Sequence, residues 1–480
     1  MVFNSITFLI FSVVFFPIYF ATKGKLRLWW ILLASYVFYG SWDWRFLGII
    51  MLSTFMDFNF GKLIGATENK ARRRTYLILS MIMNLGFLGF FKYFNFFIDS
   101  FVSLMHTFGL NPGLSTLQIL LPVGISFYTF QSLSYTIDIY RREIPVERDM
   151  LKFAAFIALF PQLVAGPIVR ARDLLPQMET DKKFDWDNFN SGLGRVLWGF
   201  FKKVAIADSL APFVDQCWAD PSKFSSSHLL VGVIFYSFQI YCDFSGYSDI
   251  AIGLARIMGY RFVENFKTPY FSQSFSEFWT RWHISLSSWL RDYLYIPLGG
   301  NRHGKFGTYK NNMITMLLGG LWHGANLAFI FWGFLHGVYL IIQRITTPIW
   351  RKFVQLVRMP AFINSAICMI IVYTLTVIAW IYFRSGSMGH RSFSVANTII
   401  GRITSFEEFS WYTVLNKYQV LKGILLLVIM LAVEITNQRM SWNVTQLRRP
   451  ALRIALFASV LWLIALFGTF GSNSFIYFQF

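Results

Sequence analysis

The sequence predicts an all-α integral membrane protein, with roughly 11–12 transmembrane helices supplemented by amphipathic and re-entrant helices. Of 480 residues, 55% are apolar and 19% aromatic, and the mean hydropathy is +0.49. Only 14% are charged, about half of the ~25% typical of a soluble domain. A water-soluble fold with that balance lacks an adequate polar surface, which excludes a soluble enzyme. The apolar residues also come in runs long enough to cross a bilayer, about 20 residues as a helix.

In chain order the runs fall near 3–20, 28–42, 46–61, 76–91, 118–137, 153–169, 191–206, 229–242, 324–342, 363–383, 420–435 and 454–471. Segments 94–106, 248–260 and 276–297 are shorter or amphipathic. The runs are too long and unalternating for barrel strands, so a single helical membrane domain over 1–480 is expected. Residues 1–20 lack a basic leader region and read as the first span rather than a cleaved signal.

The charge is lopsided, with 43 Lys+Arg against 24 Asp+Glu, or +19. These basic residues fall mostly in breaks between apolar runs, which is the positive-inside pattern and not a nucleic-acid surface. Lys23, Lys25 and Arg27 follow the first run, Lys70 to Arg74 the third, and Arg141 and Arg142 the run ending at Tyr140. Placed in the cytoplasm, they put the N-terminus outside. A second pair of basic loops, Arg344 to Arg358 and Arg439 to Arg453, puts the C-terminus outside too. The Asn443 glycosylation sequon then falls on the cytoplasmic side and is discounted. Cys217, Cys242 and Cys368 lack disulfide or zinc spacing.

Asn311–Gln343 contains no Lys, Arg, Asp or Glu, yet both flanks, Lys310 and Arg344, look cytoplasmic. Such a run turns inside the membrane, and the natural break is Gly319-Gly320-Leu321-Trp322-His323-Gly324, because glycine weakens a helix. Ten helical residues reach about 15 Å, half the hydrocarbon core. His323 then sits near the midplane at the tip of a re-entrant hairpin; one kinked span is the alternative. An intramembrane histidine is a functional residue by default, although a structural imidazole on a backbone carbonyl is the plainer reading. For His336, among Phe331, Phe334 and Leu335, the structural reading is preferred.

Upstream, Ser276–Gly300 carries apolar residues at 278, 282, 286, 289/290 and 293/294, the stripe of one amphipathic helix. His283 falls where its faces meet. Two histidines in a neighbourhood poor in titratable groups suit acid/base work near pH 7. The loop after it holds Arg302, His303, Lys305 and Lys310 among glycines. With Arg281 and Arg291, Arg302 and Lys305 are candidate contacts for a phosphate-bearing donor, against ordinary loop charge. Gln239, Asp243, Ser245, Tyr247, Ser248, Asp249 and Asp138 lie in apolar surroundings and are read as bracing, through pairing with basic groups. Nucleotide-motor, Rossmann, zinc-protease and α/β-hydrolase motifs are missing.

RWHISLSSWLRDYLYIPLGGNR followed by LLGGLWHGANLAFIFWGFLHG resembles the membrane-bound O-acyltransferase family. The likeness is closest to its bacterial branch, which includes the membrane subunit of alginate O-acetylation and peptidoglycan relatives. LPVGISFYTFQSLSYTIDIYR, FPQLVAGPIVR and IYCDFSGYSDIAIGLARIMGYRFVENFKTPY carry the same likeness, so it is strong over roughly 120–340. The resemblance implies a helical bundle around a central tunnel in the bacterial inner membrane, with no bound cofactor. It also implies a cytoplasmic donor, acetyl-CoA or an acylated carrier protein, and an extracytoplasmic transferase as partner. The family's essential histidine maps onto His323, and the second polar residue onto His283. The C-terminal Phe475-Ile476-Tyr477-Phe478-Gln479-Phe480 is similar to the tail of a small partner in teichoic acid D-alanylation. That likeness makes Tyr477 a possible acyl relay, against a plain interfacial aromatic anchor. The resulting expectation is acetyl transfer from acetyl-CoA to an exported cell-surface polysaccharide. D-alanyl transfer to teichoic acid, a lipid or sugar transporter and a silent scaffold are the rivals.

Overall fold

Lipid offers the backbone no hydrogen-bond partner, so each crossing segment must satisfy its own N–H and C=O groups. Accordingly every regular element among the described residues of the computed structural model is a helix. The structure describes residues 1–440, 450–470 and 475–476, with side chains of 438–440 left aside.

Seven stretches among the described residues are long and apolar enough to cross a membrane: Gly24–Ala66, Lys70–Thr107, Ser226–Ile257, Leu327–Leu356, Ala361–Ser405, Lys417–Asn437 and Pro450–Phe467. The first contains two helices, Gly24–Asp43 and Leu47–Ala66, joined by a short 3₁₀ turn. Pro450–Phe467 buries none of its residues, and Ile454, Trp462 and Leu466 are about two-thirds exposed. Such a surface is stable only where the solvent is itself apolar.

Three expectations from the sequence shift. The run 153–169 is not a continuous helix. It breaks after Met150–Ala158, makes one turn at Phe160–Leu163 and then leaves helical geometry. Pro161 starts the second turn, and Gly166-Pro167 closes it, as residues that cannot continue a helix. The amphipathic segment 276–297 is likewise two short helices, Phe275–Arg281 and Ile284–Leu290, followed by a π turn at Arg291–Tyr295.

The third shift concerns the hairpin. Helix Gly304–His323 passes straight through Gly319 and Gly320, and the chain turns at 324–326 into Leu327–Leu356. Twenty residues at 1.5 Å rise give about 30 Å, the full hydrocarbon thickness and not half of it. Gly320 is needed for approach rather than for a bend. A Cβ there would lie 2.3 Å from Phe329 O, and one at Gly333 would lie 2.2 Å from Met316 O. The two helices therefore meet backbone to backbone, which is how helices gain packing in lipid, where burial of apolar area supplies little.

Two compact units emerge. The first comprises Met1–Val196 with Ser248–Val263, the second Leu197–Tyr247 with Glu264–Phe480. In the first, Tyr19 Oη donates to Met258 O at 2.7 Å and Arg195 pairs with Asp249 at 2.9 Å. In the second, Trp218, Trp282, Trp332 and Trp380 are fully buried. Lys203 Nζ donates there to Asp208 at 2.8 Å and to Asp243 at 2.5 Å. Asp249 and Asp243 are thus braces, as expected of carboxylates that are tolerated in an apolar bundle only when paired.

Candidate active site

All the geometry that follows lies within the second unit. His323 is the last residue of Gly304–His323, and Gly324 continues in extended geometry. A Cβ on Gly324 would come 2.2 Å from the Phe329 ring, so only glycine fits after the histidine. Asn326 Oδ1 then accepts from Ala328 N and caps the next helix. A side-chain clash and a cap thus fix where the helix stops, and with it the histidine.

His323 is 4% exposed and ringed by edge-to-face aromatics. Centroid separations are 5.0 Å to Trp322, 5.0 Å to Trp332 and 5.1 Å to Phe383. Packed this closely, the imidazole has little rotamer freedom, which is the pre-organisation that acid/base catalysis needs. His323 also lines a cavity of about 750 Å³.

His283 sits between the two short helices with φ +43° and ψ 54°, the left-handed region that non-glycine residues seldom occupy. Asn265 holds this conformation. Its Oδ1 accepts from Ser285 N at 3.2 Å and Ser285 Oγ at 2.9 Å, while its carbonyl accepts from Ile284 N at 2.9 Å. The same Oδ1 lies 3.2 Å from His283 Nδ1. A backbone N–H can only donate, so the atom facing Ser285 N is the amide oxygen. His283 Nδ1 is then the protonated nitrogen and Nε2 carries the lone pair. Burial pushes this imidazole, which lies outside the candidate spans, down to about 3, so it is neutral at physiological pH.

The two histidines share one neighbour. Trp322 is 6.0 Å from the His283 ring and 5.0 Å from the His323 ring. His323 lines the cavity and His283 does not. His336 lies beyond, boxed by Trp279 at 5.0 Å, Trp332 at 4.9 Å and Phe278 at 5.9 Å, with no hydrogen bond at either nitrogen. No cluster of three or more His, Cys, Asp or Glu suited to a metal occurs among the described residues.

Of the basic residues singled out from sequence, Arg291 lines the cavity and also pairs with Asp292 at 2.7 Å. Arg281 is instead engaged by Glu277 at 2.6 Å, one helical turn away. Arg302 and Lys305 are exposed and lie outside the cavity wall. Two residues read as loop charge take their place. Arg344 and Arg351 both line the cavity from the helix Leu327–Leu356, seven residues apart and so on one face. Their spacing was the available signal, masked by the expectation that the helix stops before them.

Tyr477 lies outside the described residues. The two described residues before it are buried: Phe475 packs on Tyr247 at 4.9 Å and Phe244 at 5.6 Å, and Ile476 N donates to Asp243 Oδ2 at 2.9 Å. Phe244 in turn meets the His283 ring edge-on at 4.6 Å.

A buried histidine at a helix end thus opens on a cavity that Arg291, Arg344 and Arg351 also line, inside an apolar bundle. Residues 141–385 match the model of the membrane-bound O-acyltransferase family. The chain is 45% identical over 411 residues to a probable alginate O-acetylase of Pseudomonas syringae pv. tomato, covering 85% of this chain and 76% of that one. It is 46% identical over 390 residues to a protein of the same description in Pseudomonas aeruginosa (81% and 73% covered). A peptidoglycan O-acetyltransferase of Helicobacter pylori is 36% identical over 386 residues (75% and 71%). The chain belongs to the membrane-bound O-acyltransferase family and is an acyltransferase.

Proposed function

We propose that the protein takes an acetyl group from cytoplasmic acetyl-CoA and carries it across the inner membrane for O-acetylation of an exported polysaccharide. The observation that supports this best is one cavity lined both by His323 and by Arg291, Arg344 and Arg351. From Leu327 at the turn to Arg344 is about 26 Å along the helix. A donor suited to that span is elongated, with a thioester at one end and phosphates at the other. Arginine is the apt phosphate partner because its planar fork binds bidentately.

In this reading His323 accepts the proton of an acceptor hydroxyl as its oxygen attacks the thioester carbonyl. The tetrahedral intermediate collapses with loss of the thiolate, which takes up the proton, and the new ester leaves with the acceptor. His283, held by Asn265, braces Trp322 against His323. The apolar aromatic wall excludes the water that would otherwise hydrolyse the thioester. The acceptor polysaccharide is inferred from the alginate and peptidoglycan relatives, and delivery to it outside is assigned to a separate extracytoplasmic transferase.

The test is thioester cleavage of radiolabelled acetyl-CoA by the protein in nanodiscs, alone and with that partner. Cleavage that releases CoA and transfers label to the partner or polymer supports the reading. Cleavage of an acylated carrier protein but never of acetyl-CoA would overturn the donor assignment.

A further inference from the structure

Asp57 lies inside the candidate span Gly24–Ala66 and is 0% exposed. A carboxylate at such a position is costly without a compensating charge. The groups that face it are all neutral: Ser53, Ser80, Asn84 and Ser132. Ser80 Oγ donates to Oδ1 at 2.8 Å, and Asn84 Nδ2 reaches both carboxylate oxygens at 2.8 and 3.0 Å. Ser53 Oγ is 3.4 Å from Oδ2 and 3.4 Å from Asn84 Oδ1. Thr136 Oγ1 is 3.3 Å from Ser80 Oγ. Ser132, also 0% exposed, turns its Oγ toward the same carboxylate in a contact looser than the others.

These residues come from three helices of the first unit, Leu47–Ala66, Lys70–Leu88 and Ile125–Arg141. Their donor atoms are hard oxygens, with no thiolate or imidazole, which suits alkali and alkaline-earth cations and not transition metals. Oxygens around a cation at about 2.4 Å stand roughly 3 Å apart, close to the 2.8–3.4 Å spacings of this cluster. One carboxylate neutralises one positive charge, whereas a divalent ion would leave a net charge in an apolar interior. A half-turn of the Asn84 amide, which gives up the Nδ2 bond to Ser80 O at 3.0 Å, presents oxygen to the carboxylate in place of nitrogen.

We propose that Asp57, with Ser53, Ser80, Asn84, Ser132 and Thr136, binds a single dehydrated monovalent cation of sodium size, which ties the three helices together. The site is separate from the acyl-transfer reading, and its test uses no activity. Thermal unfolding of the full chain in nanodiscs is followed in sodium chloride and in choline chloride at equal ionic strength. Sodium is expected to raise the midpoint saturably, by about 2–4 °C at concentrations well above Kd. Asp57→Asn, which keeps the shape but removes the charge and one acceptor oxygen, abolishes the difference. Should that variant fail to fold, Ser132→Ala serves: it removes one ligand oxygen and keeps the carboxylate, so it shifts the sodium response to higher concentration. Equal midpoints in the two salts overturn the proposal, as does a sodium response untouched by both variants. A midpoint that follows pH but not sodium also overturns it, and assigns the neutralising charge to a proton.

Discussion

Asn265 fixes both the backbone and the tautomer of His283. Its side-chain oxygen lies 3.2 Å from Nδ1 and takes up the two donors of Ser285, while its main-chain carbonyl receives Ile284 N–H. The left-handed φ of +43° is maintained by these contacts, since strained conformations persist only when neighbours over-determine them. Asn265→Ala leaves the buried Ser285 donors unmet at about 1–3 kcal/mol. The expected result is a lower unfolding midpoint together with a lower kcat. Asn265→Asp, which keeps the acceptor oxygen, should recover more of both than alanine does.

Arg344 and Arg351 stand on the cavity wall two turns apart. If they hold donor phosphates, replacing either by alanine removes binding that is the same in ground and transition states. KM for the donor then rises, by roughly tenfold for one charge-assisted contact, with kcat little changed. Arg302→Ala and Lys305→Ala, outside the wall, should leave both constants alone. Steady-state kinetics at two salt concentrations would check this, because the arginine contribution weakens with ionic strength.

The crossing of Gly304–His323 over Leu327–Leu356 tolerates no side chain at Gly320 or Gly333. The obstructing atoms are backbone carbonyls, which cannot swing aside. Gly333→Ala should therefore separate the helices and cost about 1–3 kcal/mol, as overpacking does. A drop in thermal midpoint is the readout, and Gly401→Ala, with open space around it, is the control.

The Lys203 ammonium bridges Asp208 and Asp243, and Asp243 also receives Ile476 N–H. Lys203→Met strands two carboxylates in an apolar core. Breaking one partner of a buried ion pair typically costs 3–5 kcal/mol, so loss of folded protein on size-exclusion chromatography is expected. Asp208→Asn should be much milder, because it leaves Lys203 paired with Asp243.

The family and the helical class were legible because composition, apolar run length and the quoted motifs are local signals. What escaped was set by tertiary contacts. Gly319-Gly320 reads as a break by propensity alone, yet the helix runs on because the opposing backbone needs that gap. Arg344 and Arg351 read as loop charge because helix ends in lipid are commonly basic. Asn265 lies inside one of the stretches that carry the family likeness, but its role shows only once the chain folds it against a turn 18 residues away. Asp57 is a single acid in an apolar run, and its polar neighbours are supplied by two other helices.

The central claim, that His323 performs the proton transfer of acyl transfer, is tested most directly by one comparison. Wild type and His323→Ala, purified in nanodiscs and matched for thermal midpoint, are supplied with radiolabelled acetyl-CoA and the extracytoplasmic partner. Losing a general base slows the chemical step by about 10²- to 10⁴-fold, so label transfer should fall to that extent with donor binding preserved. Undiminished transfer by a folded His323→Ala protein would contradict the account.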